Sequence, residues 1–441
     1  MSMGRRPSER QADLWIATTD LPKSPGHVFY ETLNVLLAEA DFDRYVEGLC
    51  KEYYADDVGR DSIPPGVYFR MLFVGYFEEI NSQRGIAWRC SDSFSLRAFL
   101  GIPLDKATPD HSSLSNIRQR LPLLVHERVF ALVLKVAQDK KLLKGKTVAV
   151  DSTTLEANAA MKAIVRKETG EDWKEYLKRL MADEGIENPS DEDIRRFDKK
   201  RKKKVSNKEW ESPIDQDSRI AKMKDGRTHL AYKAEHGVDL ESEFVLSAAI
   251  HTADQADSAT LVSSIIQAQV NLVLAGSEQE VEEAVADKGY HKAETLADCK
   301  DLETRTYIPE PKRENRNWED KPESWRKATE ANRRRVKGDR SKRLQRLRSE
   351  YVERSFAHVC ETGGGRRTWL RGLEKVTKRY LVQVAAHNLG LLMRKLFGKG
   401  KPRTLQGPGG LVLIVGRLYW WSAAQLGRWY SRPVSAAAVP A

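Results

Sequence analysis

TVAVDSTTLEAN, residues 147–158, begins as a strand and places a carboxylate, Asp151, directly behind it. Val148, Ala149 and Val150 are apolar on both faces, the pattern of a strand buried in the middle of a sheet. A second run, EEAVADKGYH at 282–291, ends the same way, with Asp287 followed at once by the turn residues Lys288 and Gly289. Such acids stand at the C-terminal ends of strands, where the loops of an open α/β sheet diverge and leave a crevice. An Asp behind a strand also serves as a helix cap or turn residue, so neither position alone decides its role.

A third acid, Glu353, falls in RLRSEYVERSFAHV (346–359). Val352, Phe356 and Val359 recur there at helical spacing and would face the sheet. Glu353, one position round, then sits at the margin of that ridge and can reach over the sheet edge toward the aspartates. Carboxylate oxygens are the ligands that Mg²⁺ and Mn²⁺ prefer. Two such ions about 3.5–4 Å apart can activate an attacking oxygen and stabilise the leaving one in phosphodiester chemistry.

The intervening sequence supplies the rest of a mixed α/β sheet. THLAYKAEHGVD (228–239) and EFVLSAAIHT (243–252) alternate and form an antiparallel hairpin turning through Leu240–Ser242. Helical periodicity follows in DQADSATLVSSIIQAQVNLV, then the strand EEAVAD, the helix KAETLADCK and the strand ETRTYIPEP, stopped by Pro309 and Pro311. Final helices are expected around 344–361 and 376–396.

Residues 1–125 read as a helical domain. VYFRMLFVGYFEEI (67–80) is apolar on nearly every face, a buried helix behind Pro64 and Pro65. Short helices follow, the last being DHSSLSNIRQRL, capped at Asp110 or Ser112. They suit a helix-turn-helix-like reader with Ser115, Asn116, Arg118, Gln119 and Arg120 toward DNA, or equally a plain bundle packed on the core.

The 441 residues carry 74 Lys and Arg against 63 Asp and Glu, a formal net charge of +11, and the excess is clustered. An anionic polymer is therefore the expected partner. Two charged inserts, about 158–227 with RRFDKKRKKK (including Lys202) and about 310–343 with ANRRRVKGDR (including Arg334), read as helical, solvent-facing arms too poor in apolar residues for cores of their own. LVLIV at 411–415 is broken by Gly416 and Arg417, short of the roughly 20 apolar residues of a span, so no membrane partner is expected. The charged N-terminus lacks a signal peptide's apolar run, which points to the cytoplasm. Cys50, Cys90, Cys299 and Cys360 are widely spaced and read as reduced, buried residues. The run Gly363–Gly365 has no GK[ST] ending, so no nucleotide cofactor is expected. His291 either touches phosphate or sits in a solvent-facing turn; Trp325 and Trp369 either stack on a base or pack against a helix.

With these pieces together the chain resembles the DDE-type transposases of bacterial insertion sequences. The matching residues are VDSTTLEAN around Asp151, RIAKMKDGRTHLAYKAEHGVDLES (219–242), VADKGYH around Asp287 and SEYVERSFAHV around Glu353, with a helical region like 60–121 ahead of them. The resemblance covers about 60–400. It implies an RNase H-like mixed five-stranded sheet flanked by helices, filling 140–400 between the helical region 1–125 and a tail at 401–441. It implies that Asp151, Asp287 and Glu353 are the catalytic, metal-binding triad with two Mg²⁺ or Mn²⁺ ions. The substrates would be double-stranded DNA, as terminal inverted repeats and target, bound by a homodimer associated with the nucleoid. Many relatives carry a Tyr and an Arg in fixed steps before the catalytic Glu and a Lys after it. Here Arg346 and Arg348 precede it in approximate register, and Cys360 stands where the Lys is expected. Arg366, Arg367, Arg371, Lys375 and Lys378 can supply the phosphate contacts instead. Two rival classes share the acids: a structure-selective nuclease or resolvase, and a catalytically dead DNA-binding relic.

Overall fold

The computed structural model describes residue 17 and residues 25–55, 62–201, 205–223, 225–312 and 318–402. The amino-terminal part is helical: α1 (Pro25–Glu39), α2 (Phe42–Cys50), α3 (Pro65–Phe77), α4 (Gln83–Ser91), α5 (Phe94–Leu100), α6 (His111–Arg120) and α7 (Leu123–Asp139). α3 starts with proline in its first turn, where the missing N–H costs nothing, and buries every residue but Leu72. The short helices α4, α5 and α6 are held by side-chain caps, Ser82, Ser93 and Asp110 accepting from Gly85, Leu96 and Ser113 N–H. Of the two caps the sequence offers for α6, the structure uses Asp110.

The chain then runs β1 (Thr147–Glu156), β2 (Val165–Arg166), α8 (Trp173–Asp183), α9 (Asp191–Lys200), β3 (Trp210–Glu211), β4 (Arg219–Lys222), β5 (Thr228–Asp239) and β6 (Val245–Thr252). Next come α10 (Leu261–Leu274), β7 (Glu283–Val285), α11 (Ala293–Asp301), β8 (Arg305–Tyr307), α12 (Glu323–Val336) and α13 (Asp339–Phe356). A π-helical turn (Ala357–Thr362) and α14 (Leu373–Phe397) complete the described chain.

The sheet order β6-β5-β1-β7-β8, antiparallel on one side of β1 and parallel on the other, is the RNase H-like arrangement the sequence implied. Six strands form it rather than five. β5 is long enough to pair with β6 through Tyr232–Val238 and, along the same edge, with the short β4 through Thr228–Ala231. α14 clamps β6 by a reciprocal amide pair: Asn388 Oδ1 accepts from Val245 N–H at 3.0 Å and its Nδ2 donates to Val245 O at 2.9 Å. α14 also packs on α7 and α3, so one apolar core runs unbroken from the helical part into the sheet. All four cysteines are free and buried in it.

Both inserts depart from the sequence reading. The first is no coreless arm: Leu177, Met181 and Ile194 are buried together between α8 and α9, with Trp173, Tyr176, Leu180 and Phe197 around them. Its ends are tied by the antiparallel ribbon β2–β3. Leu177→Ala is therefore expected to cost the α8–α9 unit about 2–5 kcal/mol. Amide exchange in α8 and α9 should accelerate while that in β1 and β5 stays as it was; equal acceleration in both would contradict a separate core. In the second insert α12 buries Ala328, Thr329 and Asn332. Asn332 accepts from Ile308 N–H at 3.1 Å and donates to Ile308 O at 2.8 Å, fastening the helix to the end of β8. Apolar content alone misjudged this segment because its anchor is polar.

Among the described residues no helix is long and apolar enough to cross a membrane. LVLIV, the amino-terminal MSMGRRPSERQADLW and the tail beyond residue 402 lie outside the described residues, as does Lys202.

Candidate active site

The sheet register sets the two aspartates level. β1 and β7 run parallel with Ala149 opposite Val285, and Asp151 and Asp287 each lie two residues beyond that pair. Two steps along an extended chain return to the same face. Asp287 is itself extended (φ −79°, ψ 178°), and its Oδ1 accepts from Gly289 N–H at 2.8 Å, so it also caps the turn that leaves the sheet. Burial raises the Asp151 carboxyl above its ordinary value. The Arg348 guanidinium and the Ser152 N–H at 2.8 Å pull it back, and the nearby Asp287 charge adds to the rise.

α13 crosses this edge and is pinned strand by strand. Gln345 Nε2 donates to Ala286 O at 3.0 Å and Tyr307 O at 2.7 Å, at the ends of β7 and β8. Arg348 Nη1 donates to Asp151 Oδ2 midway along β1, because that strand runs on to Glu156 and does not end at the acid as the apolar run suggested. Ser355 reaches β5: its hydroxyl donates to Val352 O at 2.7 Å, so it accepts from Nδ1 of His236 at 2.8 Å, while His236 Nε2 accepts from Tyr380 O–H at 2.8 Å. Burial pushes His236 down to about 3, which keeps it neutral in that role. Val352, Phe356 and Val359 are buried, as their spacing predicts. Glu353 lies between the Arg348 and Ser355 anchors, exposed, with Ser349 Oγ donating to its Oε1 at 3.3 Å. Asp151 and Asp287 thus come together. Glu353 lies on the helix that crosses them and does not close on them: among the described residues no three His, Cys, Asp or Glu form a group ready to hold an ion.

Behind the aspartates stands a polar layer that the sequence reading missed. Asp257 Oδ1 accepts from Ser152 Oγ at 3.0 Å and Lys233 Nζ at 3.0 Å. A Cβ added to Gly289 would lie 3.0 Å from both Asp257 Oδ2 and Asp287 Oδ1, so the bare glycine lets the two carboxylates flank one turn. Glu235, 1 % exposed, accepts from Tyr290 O–H at 2.8 Å and Thr260 Oγ1 at 2.5 Å, fixing the turn behind Asp287 to β5. Burial raises the Tyr290 phenol far above its usual range, so it stays a donor. The available signal was a pair of charged residues, Lys233 and Glu235, midway along a strand buried on both faces.

The expected DNA-contacting cations divide into two sets. Arg334, Arg346 and Lys375 are exposed; so are Arg120, over the Tyr54 ring at 4.7 Å, and Arg367, over the Trp369 ring at 4.9 Å. Arg366 is instead committed inside the protein, to Glu361 Oε1 at 2.6 Å, Thr153 Oγ1 at 3.0 Å and Thr154 O at 2.9 Å, where it pins the segment behind the glycine run to β1. Arg348 is held by Asp151. Arg118 is only 8 % exposed and does not lie on the open face of α6, because it falls on the ridge of Leu114, Ile117 and Leu121. Cys360 is fully buried, so no side chain there faces a ligand. His291 is 5 % exposed rather than solvent-facing.

A cavity of about 1140 Å³ opens beside Asp287, walled by Lys288, Lys292, Lys312 and Lys321, by Glu310 and by Glu294, which pairs with Lys292 at 2.5 Å, and by the Trp318 and Trp325 indoles. Its cations and rings suit a strand of nucleic acid next to the acids. The acids fit divalent metal by chemistry, since every donor is a carboxylate oxygen and the desolvated Asp151 already calls for a compensating cation, which Arg348 supplies.

Comparison with known families came out in two parts of the chain. Residues 21–120 match the family described as Transposase domain (DUF772), and residues 277–393, which include Asp287 and Glu353, match the Transposase DDE domain. No curated protein and no solved structure matches the chain.

Proposed function

The two matches, transposase domains in chain order, make this chain a DDE-type transposase of the insertion-sequence type, and on that premise we propose that it cuts at the terminal inverted repeats of its element and joins the freed 3′-hydroxyls to target DNA. The observation that carries the reading is the level pair Asp151 and Asp287 on adjacent parallel strands, with Glu353 on the helix that crosses them.

In this reading Asp151, Asp287 and Glu353 hold Mg²⁺ or Mn²⁺. Two such ions supply Lewis-acid activation of the attacking oxygen and stabilisation of the leaving one. The chain itself does the rest. Burial makes a bare Asp151 carboxylate costly, so it keeps a cation beside it; Arg348 fills that place, and would share it with a metal ion or yield it. Gln345 and Ser355 fasten the crossing helix to the end of β7 and to β5, and from it Glu353 would complete the metal site. Lys288, Lys292 and Lys321 neutralise backbone phosphates beside Asp287, while the Trp318 and Trp325 rings give bases a surface to stack on. Arg120, Arg334, Arg346, Arg367 and Lys375 extend the contacts outward. A homodimer bridging two ends, working at the nucleoid, belongs to the same proposal.

The test uses the full chain and a labelled duplex ending in the element's repeat. Nicking at the repeat end and joining of the released 3′-hydroxyl to a second duplex are expected in Mg²⁺ or Mn²⁺ and are lost in EDTA. Nicking that never leads to joining would make the protein a nuclease. Repeat binding without any metal-dependent cutting would make it a relic.

A further inference from the structure

A second cavity, about 540 Å³, opens where α4, α6 and the start of α14 meet, and none of the three acids lines it. Its lining holds Arg84, Arg118 and Arg379 and not one Asp or Glu. Arg118 is 8 % exposed, and its Nε has no hydrogen-bond partner among the described residues. Gln83 Nε2, a second donor in the same lining, is orphaned too. Arg379 spends only Nη2, on Asn81 O at 2.8 Å; burial, and then the like charge of Arg118, pull its guanidinium down to about 10. The neighbouring Asn81 Oδ1 is an orphan acceptor, and turning that amide over would present a third donor.

A buried and a half-buried guanidinium, Arg118 and Arg379, share this lining with no carboxylate; they repel each other and lack the counter-charge that desolvated cations require. An anion between them removes both costs. The guanidinium fork matches a tetrahedral oxyanion, bonding two of its oxygens at once. At the mouth stands Trp369, 50 % exposed, a face on which a base or sugar joined to the anion can rest.

We propose that this cavity binds one phosphate group through Arg118, Arg379 and Gln83, and that in the working protein the phosphate belongs to the DNA backbone. The chemistry is read from the cavity alone; its DNA source rests on the function proposed above. Bound there, a strand ties the amino-terminal helices to α14 at a point distinct from the acids.

Two measurements on the full chain test it, with Arg379→Gln and, at the exposed rim, Arg84→Gln as variants. The first is the melting temperature in orthophosphate against chloride at matched ionic strength. Phosphate should raise it for the wild type and raise it less or not at all for Arg379→Gln. In chloride Arg379→Gln should melt no lower than wild type, since a repelling neighbour is gone. The second is duplex affinity against salt: Arg379→Gln should bind about tenfold more weakly, with a log–log slope shallower by about one. Arg84→Gln, which gives up only an exposed contact with His111 Nε2 at 3.4 Å, should show the same trends in smaller measure if Arg379→Gln does not fold. An equal phosphate response in wild type and both variants overturns the site. A lost phosphate response with an unchanged DNA slope assigns it to free phosphate and removes the DNA source. A wild type that binds no DNA sinks the proposed function, while the melting series still judges the cavity.

Discussion

Asp287→Asn, and equally Asp151→Asn or Glu353→Gln, is expected to lower strand cleavage by about 10³-fold, the scale of losing one well-placed electrostatic group. DNA binding should stay within about twofold, because none of the three is a cation facing phosphate. The amides keep shape while removing charge. Asn at 287 retains an oxygen for Gly289 N–H, so the turn survives. Asn at 151 retains one for Ser152 N–H but releases Arg348 from its ion pair. Gln at 353 touches only an exposed position. The three variants therefore disturb the fold in different ways and share only the loss of a carboxylate. A common collapse of single-turnover cleavage, with unchanged circular dichroism, would mark a shared site. Any one of them cutting at the wild-type rate leaves that residue out of the chemistry.

Glu283→Ala should cost about 1–3 kcal/mol for each buried hydroxyl it leaves without an acceptor, Thr147 and Tyr307, while the half-exposed Arg340 returns to solvent. Glu283, 1 % exposed in β7, accepts from Thr147 Oγ1 of β1 at 2.9 Å, Tyr307 O–H of β8 at 3.1 Å and Arg340 Nη2 at the start of α13 at 2.5 Å. One carboxylate thus joins three strands and the crossing helix. Burial alone would raise its carboxyl, but the bonds from Arg340 and Thr147 outweigh that and hold it below the usual 4.5. A carboxyl held low in the folded state contributes its stability above the unfolded value and loses it as pH falls through the folded one. The gap in urea midpoint between wild type and Glu283→Gln should accordingly be wide at pH 7 and shrink below about pH 4.5. A gap that is constant with pH would mean packing, not charge, holds Glu283 in place.

The strand-borne acids were legible because an apolar run followed by Asp is visible without knowing any partner. Their level placement was not. It depends on Ala149 lying opposite Val285, and a one-residue slip leaves the sequence pattern unchanged while turning one carboxylate to the other face. The helix carrying Glu353 was legible from Val352, Phe356 and Val359; that Arg348 would meet Asp151 was not, since two arginines stand in approximate register and only the packed helix selects one. Asp257 sits in a polar loop that looks like any other. Arg118 was misread for want of a phase: with Leu114, Ile117 and Leu121 it occupies i, i+3, i+4 and i+7, the buried side of α6. Composition averaged over the first insert hid Leu177 and Met181, four residues apart on one helical face.

The ribbon Val165↔Glu211, Arg166↔Trp210 brings the two stems of the α8–α9 excursion side by side, and the excursion carries its own small interior. A segment whose ends meet and whose contents pack among themselves can be shortened, exchanged or enlarged over generations without disturbing its host. Sequence variation can accumulate there, while β1, which ends at Glu156 nine residues before the nearer stem begins at Val165, cannot shift without moving Asp151.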